Sequence, residues 1–282
     1  MSSEFNMAVD IESLNQQLQR VMINQYKGAV NDGIKLYNKI SEAGFRCYSQ
    51  FEEDGIILYV LAIIGMNTKK VVEICCGDAA ECMATNLILN HGYQGFLFDG
   101  DEGNISKAVA FFSQKRDCIL TPPKVKHAWI TKDNVNFLLK DIGVTGEVDL
   151  LSLDIDGNDY YIWEVIDAIN PRLCVFETHN LIPGDLSLTI PYDETFSCWA
   201  KEGYEQEFRS VSLLAMKKLS QAKGYRLIGA HKHGFNAFFL RNDIGQRLFP
   251  EVSIEEVHNN LWSQLAQKER WPLVKDMGWV EV

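Results

Sequence analysis

The stretch Lys69–Ala84, KKVVEICCGDAAECMA, constrains this chain more than any other. The run Val71, Val72, Ile74 reads as a buried strand. It carries one acid, Glu73, and stops at a turn of small residues, Cys75-Cys76-Gly77-Asp78-Ala79, after which a helical pattern begins at once. Strand, tight turn and helix form the opening unit of a nucleotide-type α/β fold. Small residues let the turn backbone come close to a ligand, and the helix start offers it unpaired N–H groups and a positive dipole end. A dinucleotide fingerprint would need three glycines here, and Gly77 stands alone.

Bulk properties narrow the setting. A length of 282 residues suits one large α/β domain with additions, or at most two domains. A net charge of -11 argues against nucleic acid or an anionic membrane as partner, since both need basic surface. Seven cysteines, without the paired spacing of a zinc site, point to a reduced, cytoplasmic protein in which each thiol packs in the core. No secretory leader is evident, and the longest apolar run, Ile56–Met66, is shorter than the ~20 residues a bilayer requires.

Along the chain, residues 1–46 read as an N-terminal helical extension with disordered first residues. Its stripe Ile11, Leu14, Leu18, Val21, Met22 should pack on the core or on a partner subunit, which leaves a homo-oligomer open. Residues 47–243 form the main domain, and 244–282 a helical tail. The polar cluster Tyr48–Gly55 leads into a helix, with Glu53 and Asp54 suited to its first turn. Alternatively, Gln50 and Asp54 reach into a pocket. Strands are expected at Gly95–Asp99, Val125–Ile130, Val148–Asp154 and Arg172–Glu177, with a terminal hairpin of Tyr225–Ala230 and Asn236–Arg241. The segment Leu181–Gly203, with two prolines and several aromatics, reads as a cover over a substrate. His231 and His233 are expected as solvated turn residues, and His91 and His127 as structural or surface groups.

The chemistry should lie at the carboxyl ends of the strands, where open α/β sheets bind ligands. Asp99 ends its strand about 20 residues after the Gly77 turn, the offset at which a carboxylate takes a ribose diol. Trp129 offers a flat face for an adenine ring. Asp154, Asp156, Asn158 and Asp159 follow one strand, and Glu177, His179 and Asn180 end the next. Asp154, Asp156, Glu177 and His179 would suit Mg or Mn. Carboxylates this dense need a cation, a basic side chain or protonation to relieve their repulsion. The competing reading makes Asp156 and Asn158 helix caps.

Several stretches together resemble the FkbM-type S-adenosylmethionine (SAM)-dependent methyltransferases. They are Tyr48–Ile56 (YSQFEEDGI), the Glu73–Asp78 turn, Gly95–Gly100, Ser152–Trp163 (SLDIDGNDYYIW) and Pro171–Glu177, and the likeness spans roughly residues 45–242. The resemblance implies a Rossmann-like class I methyltransferase fold: a mostly parallel seven-stranded sheet, helices on both faces, and a terminal antiparallel hairpin. It implies SAM as cofactor, with Glu73, Gly77 and Asp78 at its methionine end, Asp99 on its ribose and Asp154 facing the transfer site. The Cys75-Cys76 pair replaces the family's usual glycines, and Glu-Thr-His-Asn replaces the expected Glu-Tyr-Asn after the strand ending in Glu177.

The function expected is O-methylation of a sugar, sugar nucleotide or related natural product, a small-molecule acceptor rather than nucleic acid or membrane. His179, Asp156 or Asp154 would take the hydroxyl proton, or a divalent cation would lower the hydroxyl pKa. A metal-dependent phosphoester hydrolase and a non-catalytic SAM-binding module are the alternatives.

Overall fold

A computed structural model describes residues 2–282, with side chains from residue 11 onward. The expected disorder of the first residues falls outside the described side chains. The chain opens with α1 (Ser2–Asn31) and α2 (Glu53–Ile64), then alternates β1 (Lys70–Ile74), α3 (Met83–His91), β2 (Gln94–Asp99), α4 (Glu102–Ser113), β3 (Lys124–His127), α5 (Val135–Ile142), β4 (Gly146–Leu153), α6 (Asp159–Val165) and β5 (Ile169–Glu177). After a long insertion come α7 (Leu213–Ala222), β6 (Tyr225–Ala230), β7 (Asn236–Arg241) and three short helices, α8 (Ile254–His258), α9 (Leu261–Glu269) and α10 (Trp271–Val274).

The seven strands form one sheet in the order β3-β2-β1-β4-β5-β7-β6, with β1 to β5 parallel and β7 antiparallel to both neighbours. This is the mostly parallel sheet with a terminal hairpin that the sequence led us to expect. Alternation along the strands feeds two cores. Val71, Leu97, Leu150, Val175 and Phe238 face one side, under α1 to α4. Val72, Ile74, Phe98, Leu153, Phe176 and Phe239 face the other, under α5 to α7. Both faces are covered, which is why the central strands read as nearly continuous apolar runs.

The register aligns the site. Ile74 pairs with Phe98 and with Leu153, and Leu153 pairs with Phe176. The next residues, Cys75, Asp99, Asp154 and Glu177, therefore leave the sheet in one row along its carboxyl edge. At the opposite edge a buried ion pair fixes the start of β1. Asp149 accepts from the N–H groups of Asn67, Thr68 and Lys69. Arg172 reaches Asp149 at 3.0 Å and also donates to the Ile64 and Gly65 carbonyls that end α2.

Three expectations are corrected. Of the α1 stripe only Met22 packs on the core, beside Gln19, Tyr26 and Ala29, and Ile11, Leu14, Leu18 and Val21 are exposed. His231 is not a solvated turn residue but is only 3% exposed, and His233 is half-buried in aromatic contact with Phe51 and Trp262. Asp54 does not reach a pocket. Its Oδ2 accepts from the N–H groups of Cys47, Tyr48 and Ser49 and so builds its own loop, while Gln50 is exposed. The tail packs back on the chain, with Leu181 and Ile182 against Ala266 and Val274, and Leu188–Thr189 paired with Val280–Glu281. No described helix is long and apolar enough to cross a membrane.

Candidate functional site

The turn after β1 is held open from two sides. Cys75 and Cys76 both donate their N–H to the Phe98 carbonyl at 2.9 Å. Gly77 donates its N–H to Asp99 Oδ2 at 2.8 Å. Cys75, Gly77 and Ala79 all have positive φ, at 71°, 55° and 66°. For the two non-glycine residues this is costly backbone that the surrounding bonds must maintain.

Glu73 ties this turn to the start of α3. It is buried and accepts from the N–H groups of Met83 (3.0 Å) and Ala84 (2.5 Å) and from the Cys82 thiol. Cys82 precedes α3 without capping it through its side chain, so Glu73 does that work from the neighbouring strand. Burial nevertheless pushes its carboxyl up to about 7. Both its oxygens thus bond the start of α3, next to the turn where the resemblance set the methionine end of the cofactor. Asp78 lies in the turn, where its Oδ1 accepts from Ala80 N–H.

Asp99 faces a cleft. Its Oδ1 accepts from Asp101 N–H and Asn104 Nδ2, and its Oδ2 from Gly77. A carboxylate offers about four acceptor positions, so one remains, on Oδ2. The sequence set a ribose diol at Asp99; the structure leaves that carboxylate one open acceptor position. The cleft beside it, about 90 Å³, is lined by Ile74, Cys75, Gly100, Ala128, Trp129, Ile130, Ile155, Asn158 and Phe196. Trp129 lies so close to Gly100 that a Cβ there would meet its ring at 2.8 Å. Phe196 sits on Gly157 in the same way, at 2.6 Å. Asn158 donates to the Asp193 carbonyl at 2.7 Å, and its buried Oδ1 has no partner.

The insertion after β5 crosses this edge. Trp129 Nε1 donates to the Glu194 carbonyl at 2.6 Å and Tyr161 to the Ile190 carbonyl at 3.0 Å. Sequence reasoning noted the aromatics of this segment but singled out neither Phe196 nor Arg209. Arg209 is the important omission. It pairs with Asp156 at 2.7 Å and lies over the Trp199 ring, whose Nε1 also donates to Asp156. A lone arginine in an insertion that follows an acid-tipped strand was the available signal.

Asp154, Asp156 and Glu177 come together, each with a ligand atom within 4.8 Å of the others. Burial pushes Asp154 up to about 8, helped by the charges of Asp156 and Asp159. Burial and then the Asp154 charge push Glu177 up as well. The two carboxyls are side by side at adjacent strand ends, and holding one proton between them removes the repulsion that two charges would create. Glu177 Oε2 has no hydrogen-bond partner. Asp156 itself has φ 52°, held there by the loop that Asp159 organises by accepting from Ile155 and Gly157 N–H. Asp159, rather than Asp156 or Asn158, is thus the carboxylate that shapes the start of α6.

His179 does not join them. Its Nε2 is 2.8 Å from the Glu207 carbonyl, and it is buried beside Glu207 rather than at the carboxylates. Burial, with the Arg209 charge, holds it down to about 3. A neutral imidazole engaged by a carbonyl is neither the fourth metal ligand nor the free base that the sequence suggested.

No family model and no curated protein matches this sequence. Among solved structures, the methyltransferase domain of bacterial CtHen1-C aligns at 12% identity with a TM-score of 0.42, over 67% of this chain and 96% of that one. Magnesium protoporphyrin IX methyltransferase from Synechocystis PCC 6803 aligns at 11% identity and TM-score 0.39, over 67% and 77%. A Galdieria sulphuraria protein provisionally described as a sarcosine dimethylglycine methyltransferase aligns at 12% identity and TM-score 0.42, and this chain spans 62% of its length. The strand order, with its reversed seventh strand, is the deciding observation. This is a class I methyltransferase fold. The row Cys75, Asp99, Asp154, Glu177 lies along the carboxyl edge of the sheet, the edge at which open α/β sheets in general bind ligands.

Proposed function

We propose that this chain is a SAM-dependent O-methyltransferase of FkbM type, acting on a hydroxyl of a sugar, sugar nucleotide or related natural product. The observation that carries the reading is the row of strand ends. It sets the small cleft at Cys75 and Asp99 in line with the carboxyl pair of Asp154 and Glu177, whose pKa values burial raises.

The residues fit the cofactor. Trp129, Ile130, Ile155 and Phe196 offer apolar surface to an adenine, and the unpartnered Asn158 Oδ1 offers an acceptor for its amino group. Asp99 has one acceptor position left for a ribose hydroxyl, and the strained Cys75–Gly77 backbone lets the ligand approach the sheet edge. When bound, SAM supplies an electrophilic methyl group on a sulfonium. The protein's own part is to align an acceptor oxygen, which supplies much of the acceleration, and to receive its proton. The Asp154–Glu177 pair is placed for that second task once it has ionised. Arg209 holds Asp156 and keeps the cluster from accumulating unbalanced charge.

Asp154, Asp156 and Glu177 also support a second reading, in which a divalent cation such as Mg or Mn binds them and lowers the hydroxyl pKa. Arg209 counts against it, because its guanidinium already sits on Asp156. The carboxylates could likewise serve a phosphoester hydrolase, but that leaves the cleft at Asp99 without a role.

The test is calorimetric titration with SAM, followed by methyl transfer from labelled SAM to a panel of sugar nucleotides, with and without chelator. Binding and chelator-resistant transfer support the proposal. Binding without transfer to any acceptor would favour the non-catalytic module, and transfer abolished by chelator and restored by Mg would favour the cation.

A further inference from the structure

The long first helix presents a seam that none of the described residues covers. Ile11, Leu14, Leu18 and Val21 are 62%, 56%, 55% and 54% exposed. Their spacing is three, four, three, the a/d pattern of a coiled coil, and it is narrower than the stripe of a helix that packs on a globular body. The body is served by a different face of α1. There Gln16 donates to the Leu89 carbonyl, Gln19 bonds Asn86 and His91, Glu12 pairs with Lys115, and Tyr26 packs edge-on to Tyr59 at 5.0 Å. The helix is thus fixed to its own subunit with the seam turned away.

We infer that this seam joins two copies of the chain in an antiparallel α1–α1 pair. The seam is complementary to itself. Turned about a two-fold axis at residue 16, Leu14 of one copy meets Leu18 of the other, and Ile11 meets Val21, each an a-to-d contact. The exposed positions flanking the seam, Gln17 and Asn24, are uncharged, so two chains of net charge -11 can approach here without like charges meeting. A membrane-surface helix would instead need a polar face rich in lysine and arginine, and the described part of α1 mixes Glu12 with Arg20 and Lys27.

The seam is short, so the pair should dissociate with a constant on the order of 1–100 µM. Sedimentation velocity on the full chain across that range should show monomer passing to dimer. Replacing Leu14 and Leu18 together by Glu should weaken the dimer at least ~100-fold. The corresponding Leu14→Lys, Leu18→Lys chain should also be monomeric, and mixing the two variants should restore a heterodimer. Restoration separates a lost seam from a lost fold. A wild-type chain that stays monomeric, a Glu variant that dimerises as well as the wild type, or a mixture that stays monomeric would overturn the inference. So would a monomeric wild type that co-sediments with phosphatidylserine vesicles through these leucines.

Discussion

The Asp99 carboxylate accepts the N–H of Gly77 at 2.8 Å, tying the end of β2 to the turn that closes β1. One side chain therefore both shapes the turn after β1 and presents its last acceptor position to the cleft. Asp99→Asn keeps the size but replaces part of the acceptor capacity with a donor, leaving a buried N–H unmatched at a cost of about 1–3 kcal/mol. SAM affinity should fall roughly 10- to 100-fold by calorimetry. The same variant should melt a few degrees lower.

The Asp154–Glu177 pair sets the pH response. Both folded pKa values lie above those of the unfolded chain, and for Asp154, pushed up to about 8, the folded state holds the extra proton between about pH 4 and pH 8. This contribution to stability is fully present at low pH and is lost as pH rises through about 8. Transfer rate should move the opposite way and climb through the same region, because the base must first ionise. Glu177→Gln should therefore raise the melting temperature at alkaline pH and lower the transfer rate by about 10²- to 10⁴-fold. A melting temperature that falls in the variant at alkaline pH would contradict the shared proton.

His179 gives the opposite limb. Its folded pKa, about 3, lies below the ordinary imidazole value, so the unfolded chain binds the extra proton first as pH falls. Stability from this group is intact above about pH 6.5 and declines from there towards about 3. His179→Gln should flatten the acid limb of a melting-temperature profile and leave the alkaline limb unchanged. If His179 were the base instead, the variant would abolish transfer at every pH.

How much of this was readable beforehand follows from the range of the interactions. The β1 turn, the Asp99 offset and the terminal hairpin are local patterns of strand, turn and spacing, and the sheet places them as read. Arg209 on Asp156, His179 on Glu207 and Phe196 on Gly157 are long-range contacts made by an irregular insertion, for which no periodicity exists. Glu73 illustrates the limit. The family resemblance implied a place for it beside the cofactor, whereas its bonds to the start of α3, which has no side-chain cap of its own, follow no sequence pattern.

The contact of the insertion with the cleft can be tested at Gly157. A Cβ there would stand 2.6 Å from the Phe196 ring, which must shift. Gly157→Ala should cost about 1–3 kcal/mol of stability or of ligand affinity, depending on which state the ring gives up. Gly28→Ala in α1 meets nothing within 4 Å and should stabilise by roughly 0.5–1 kcal/mol. Thermal denaturation of the two variants with and without SAM separates an effect at this contact from a general one.

The central claim is that a sulfonium nucleoside binds along the row Cys75, Asp99, Asp154, Glu177. The most direct measurement is a crystal structure of the chain grown with S-adenosylhomocysteine. The account predicts the adenine between Trp129 and Phe196, the ribose on Asp99 and the sulfur next to the Asp154–Glu177 pair. Ligand density elsewhere on the molecule, or none at saturating concentration, would contradict it.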